Sequence, residues 1–80
     1  MHESALVYRI LDTISPSIKP EYKLKSILLD VGEHSCVNTS TLTQLFDLTK
    51  KGTFAENSEL KLTIVKDDFD IMISSIEVTT

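Results

Sequence analysis

The chain has no tryptophan, one cysteine, two glycines and two prolines in 80 residues. The single thiol, Cys36, excludes an internal disulfide framework and any multi-cysteine zinc site built by this chain alone. It fits a reducing compartment. Long apolar runs are missing: stretches such as Ala5-Leu6-Val7-Tyr8 and Ile71-Met72-Ile73 stop after three or four residues. No membrane span can be built from them. Basic residues are scarce, 8 against 12 acidic, and no Lys/Arg cluster exceeds Lys50-Lys51. The net charge of −4 argues against nucleic acid or an anionic membrane as the main partner. Met1-His2-Glu3 brings neither a basic n-region nor an apolar h-region, so the expectation is a cytoplasmic protein without a signal peptide. There is no Walker loop, no G-x-G-x-x-G and no H-E-x-x-H, which leaves an enzyme reading without support.

What is present suits one small domain over residues 1–80. Apolar residues make up 41% of the chain, enough for one core, and charged residues 25%. A chain of this size buries only roughly 60% of its unfolded surface, so a second core is excluded.

The elements follow from hydrophobic period. Leu6, Val7, Ile10, Leu11 and Ile14 recur at spacings of three and four, which predicts a helix from Glu3 to about Ser15. Pro16 should stop it by pushing Ser15 out of the α region. Tyr22 to Val31 reads as a strand that Gly32 breaks. Asn38 or Thr39 can cap a second helix, with Leu42, Leu45, Phe46 and Thr49 on one face and Lys50-Lys51-Gly52 closing it. Glu59 to Val65 alternates cleanly, and Phe69 to Val78 is a further extended run. The short Lys66-Asp67-Asp68 link predicts that these two strands pair as an antiparallel hairpin. The fold class is α+β: two amphipathic helices on one face of a three-stranded mixed sheet, in the order helix-strand-helix-strand-strand.

Three places could carry chemistry. The N-terminus combines an α-amine, two nearby backbone amides and the His2 imidazole within Met1, His2 and Glu3. An α-amine and the next amide nitrogen close a five-membered chelate ring, and His2 is close enough to join. An all-nitrogen set with deprotonated amides favours square-planar Ni(II) or Cu(II). Protons compete for these ligands, so affinity should fall below neutral pH. Yet any chain starting Met-His has these atoms, and most such histidines bind nothing. His34 and Cys36 form the second place. Two ligands do not close a metal site, and the simpler expectation is a loop in which Cys36 packs as a small hydrophobe. The third is Asp67, Asp68 and Asp70, whose carboxylates could take Ca²⁺ or Mg²⁺ but lack EF-hand spacing and read first as a solvated turn.

Met1-His2-Glu3, Ile27 to Ser35 with its Gly32-Glu33-His34-Ser35 ending, and Leu42 to Phe46 come in a telling order. They are followed by Lys51-Gly52-Thr53 before Ala55-Glu56, then Ser58 to Ile64, then Phe69 to Val78. Together they resemble the HypA family of hydrogenase maturation proteins, which are nickel metallochaperones. The resemblance spans almost the whole chain. It implies a small α/β nickel domain whose metal ligands are Met1, His2 and Glu3: the terminal amine, backbone nitrogen and the second-position histidine. It implies delivery of Ni(II) to a nickel enzyme such as [NiFe] hydrogenase, or in some members urease. The partners it implies are a nickel-handling P-loop GTPase or the nickel enzyme precursor.

This sequence departs from the family pattern twice. Ser4 follows Glu3 directly, where the family commonly has its serine one position later. The family also inserts a zinc ribbon with paired Cys-x-x-Cys motifs before the last strand, where this chain has Lys66-Asp67-Asp68. No structural zinc is therefore expected. Two further functions compete with nickel delivery. A metal-free HypA-like module would bind a protein partner through a helix face or strand edge, and a homodimer through an open edge is compatible with this. A small cysteine enzyme would rely on Cys36 alone.

Overall fold

The computed structural model describes residues 2–80. Helix α1 spans Glu3–Ile14, strand β1 Lys23–Gly32, helix α2 Thr39–Thr49, strand β2 Glu59–Val65 and strand β3 Ile71–Thr79. This is the α+β order the sequence predicts. Val7, Ile10, Leu11 and Ile14 form the buried stripe of α1, and Leu42 and Phe46 are buried on α2. These residues share one core cluster with Ile27, Leu29 and Val31 of β1 and Leu60 of β2. Among the described residues no helix is long and apolar enough to cross a membrane.

Local chemistry sets the helix ends. The Asn38 side chain accepts a hydrogen bond from the Thr41 backbone N–H at 3.0 Å, as expected of an N-cap. Past α2, Gly52 takes a φ of +75°, the left-handed turn that favours glycine. Ser15, in contrast, does not leave the α region: its φ and ψ are −48° and −47°. Its N–H completes α1 by donating to the Leu11 carbonyl. Pro16 then sits in the first turn of a short 3₁₀ helix, Ser15–Ser17, where its missing N–H costs no bond.

The sheet order is β2-β1-β3, with β1 in the centre. β2 runs parallel to β1, and α2 supplies the crossover that parallel pairing needs. β3 runs antiparallel to β1 along its other edge. The predicted β2–β3 hairpin is therefore wrong, because the two strands lie on opposite edges. Ile27-Leu28-Leu29 explains the arrangement: this apolar run suits a strand flanked on both edges and mostly covered.

To reach the far edge, the chain after β2 passes across the end of β1. Glu33 N–H donates to the Val65 carbonyl at 2.8 Å, Gly32 N–H to Asp70 at 2.7 Å, and His34 N–H to Asp68 at 2.8 Å. Gly32 does not break β1. It is the strand's last residue, and a Cβ there would lie 2.5 Å from the Asp68 carbonyl oxygen. In β3 the register shifts between Leu28/Ser75 and Leu29/Ile73, leaving Ser74 as the extra residue. That bulge brings Ile76 back to the side of Ile71 and Ile73, and all three pack against the core.

Candidate metal centre at the start of helix α1

Met1, the first of the expected ligands, lies outside the described residues. His2 precedes α1 with extended φ and ψ of −86° and 98°, and its side chain makes no capping bond. Its carbonyl accepts the first backbone bond of the helix, from Leu6 N–H at 3.2 Å. The amides of Glu3, Ser4 and Ala5, ahead of Leu6, have no intrahelical acceptor. Deprotonating and metallating the amides of His2 and Glu3 would therefore break no helical bond.

The Glu3 side chain has a different task. Its carboxylate accepts from the Asn38 backbone N–H at 3.4 Å. It thereby links the start of α1 to the cap of α2, and its position in the first turn complements the helix dipole. His2 is exposed and enters a groove of about 460 Å³ between α1 and the start of β3. Leu6, Arg9, Phe69 and Asp70 also line this groove.

The other sequence candidates separate. Cys36 is exposed and holds a φ of +64°, so it does not pack as a small hydrophobe. Its thiol points at the backbone carbonyl of His34, 3.9 Å away, and not at the imidazole. The expected His34–Cys36 pair is therefore not formed. His34 faces Glu33 and Asp67 instead, with Nε2 at 3.3 Å from Glu33 Oε1 and 3.9 Å from Asp67 Oδ1. Sequence reasoning missed this grouping. It placed His34 and Asp67 in separate candidates, and nothing in their spacing joins residues so far apart.

The model of one protein family, described as "Hydrogenase/urease nickel incorporation, metallochaperone, hypA", matches residues 1–71. The chain belongs to the HypA family. Hydrogenase maturation factor HypA of Salmonella typhimurium is 38% identical to it over 64 residues, covering 78% of this chain and 54% of that protein. The HypA of Escherichia coli is 36% identical over the same length, covering 78% and 55%. The hydrogenase maturation factor HypA of Ignicoccus hospitalis is 29% identical over 73 residues, covering 86% of this chain and 52% of that protein. The chain thus spans about half the length of these curated relatives. The solution structure of the Ni metallochaperone HypA from Helicobacter pylori superposes with a TM-score of 0.73 at 17% identity, over 94% of this chain and 72% of that one. At that identity the likeness is one of fold: the HypA architecture forms here with five residues, 66–70, between β2 and β3.

Proposed function

We propose that this HypA-family chain binds Ni(II) at its N-terminus and passes it on during maturation of a nickel enzyme such as [NiFe] hydrogenase. The observation that carries the reading is the free end of α1. His2 and Glu3 offer amides that the helix does not use, and the exposed His2 imidazole sits beside them. Met1 contributes the terminal amine, His2 its amide and imidazole, and Glu3 its amide. The Glu3 carboxylate stays on Asn38 and holds the chelating segment against α2.

The ion is cargo, so the site must release it. A site at a chain end, open to solvent and built from protonatable nitrogens, lets go more readily than a closed cage. The receiving partner is a nickel-handling GTPase or the enzyme precursor itself. The chain acts as a carrier and not as an enzyme, and it needs no structural zinc, since Cys36 is its one thiol.

Titration of Ni(II) into untagged protein tests this. A square-planar absorption band should grow to one equivalent. It should be lost in His2→Ala and after chemical blocking of the terminal amine. An undiminished band in both would remove the N-terminal site. Absence of any nickel binding by the intact chain would favour the metal-free interaction module.

A further inference from the structure

A second set of ligand-type side chains gathers at the opposite end of β1 from Lys23. Glu33 and His34 directly follow the strand, and Asp67 belongs to the crossover that passes over it. One ligand atom from each of the three lies within 4.8 Å of the others. First-row divalent ions bind nitrogen and oxygen at roughly 2.0–2.2 Å, so neighbouring ligand atoms stand about 3.0 Å apart at right angles and about 3.5 Å apart in a tetrahedron. The His34–Glu33 and His34–Asp67 separations of 3.3 and 3.9 Å are close to that range.

The backbone holds the three in place. Glu33 and His34 are bonded through their own N–H groups to Val65 and Asp68, on either side of the Lys66-Asp67 turn. Asp67 N–H donates to Glu33 Oε1 at 3.2 Å, and Asp67 itself takes a φ of +59°. The Phe69 ring packs against the His34 imidazole with centroids 5.3 Å apart. All three ligand residues are exposed, which leaves further coordination positions to water.

We propose that Glu33, His34 and Asp67 form a second metal site, taking a first-row divalent cation in a mixed nitrogen–oxygen set completed by water. One imidazole and two carboxylates suit such an ion, and three exposed ligands make a weak, fast-exchanging site. It is chemically distinct from the all-nitrogen N-terminus. Nickel held by imidazole, carboxylates and water is high-spin and paramagnetic, whereas nickel in a square-planar amide set is diamagnetic. Phe69 connects the two places, because it flanks His34 and also lines the groove that His2 enters. The site does not depend on the N-terminal reading.

The test is Ni(II) titration of the full chain carrying His2→Ala, followed by NMR. The side-chain resonances of His34 and the ring resonances of Phe69 should broaden and shift paramagnetically. Adding Asp67→Asn, which keeps an αL-tolerant residue at the positive φ, should weaken the response tenfold or more. Adding His34→Ala should abolish it. No response at Phe69 under excess Ni(II) would overturn the site, leaving the cluster as surface ion pairs. A response in the His34→Ala and Asp67→Asn chains undiminished from that of the His2→Ala parent would overturn it as well. Failure of the N-terminal reading shows separately, as absence of the diamagnetic band in the wild-type chain.

Discussion

The two glycines of this chain do different work. At Gly32 the backbone angles are ordinary and the space is not: an added Cβ would meet the Asp68 and Asp70 carbonyl oxygens at 2.5 and 2.8 Å. Those atoms are backbone, held by hydrogen bonds from His34 and Gly32, and cannot swing aside. At Gly52 the space is open and the angle is the constraint, with φ at +75°. Gly32→Ala should therefore cost about 3 kcal/mol, by forcing the crossover away from β1. Gly52→Ala should cost about 1 kcal/mol, the ordinary penalty of a left-handed position. Urea unfolding of the two variants checks the order. The reverse ranking would mean that the crossover is looser than its three hydrogen bonds imply. Gly32→Ala should also separate Asp67 from His34, and so weaken metal binding there while leaving the N-terminal band intact.

Among the elements, α2 is placed by both of its ends. Asn38 caps its first turn through Thr41, while the backbone N–H of Asn38 meets the Glu3 carboxylate. At the other end the Lys50 ammonium donates to the Ser58 carbonyl at 2.7 Å, fastening the helix to the lead-in of β2. Asn38→Ala should lower stability by about 1 kcal/mol through loss of the cap. It should leave nickel stoichiometry unchanged, because the amides proposed to hold nickel belong to the start of α1. Thermal unfolding and a nickel titration of the same variant read both effects. The helices were legible in the sequence because their signals are local: the period of α1, and the period, cap and terminal glycine of α2, each lie within a few residues of one another. The pairing of β2 with β3 was misread because a three-residue polar link looks the same whether the chain folds back or steps across a neighbour. Only the tertiary demand of β1, apolar enough to sit in the centre, decides between them. The phase change in β3, with Ile71 and Ile73 offset from Ile76, was visible as a pattern. Its cause, the extra residue Ser74, belongs to the register with β1. The candidate site divided in the same way. His2 and Glu3 could be named from adjacent residues, but the meeting of Glu33, His34 and Asp67 required the crossover.

Across the whole sheet, the face turned from the helices carries its own tie. Ser26 of central β1 donates its hydroxyl to the Glu77 carboxylate of β3, and Lys61 of β2 lies 3.5 Å from the same oxygen. One side chain from each strand thus meets at one carboxylate, joining two edge strands that never touch through their backbones. The Ser26 hydrogen bond first, and the Lys61 charge second, hold the Glu77 carboxyl below the ordinary glutamate value of 4.5. A folded-state value below the unfolded one means that the native state favours the ionised form. The resulting stabilisation is complete above about 4.5, the ordinary value, and is lost as pH falls through the lower folded value. Glu77 is solvent-facing, so the effect is screened by salt. Carboxyl NMR titration should find Glu77 moved upward in Ser26→Ala, and moved upward less in Lys61→Ala. The urea midpoint of the wild-type chain should fall faster below pH 4.5 than that of Ser26→Ala, which has already lost the larger part of the interaction. An identical Glu77 titration in all three proteins would show that the tie does not form in solution. The edge strands would then be held by β1 and the core alone.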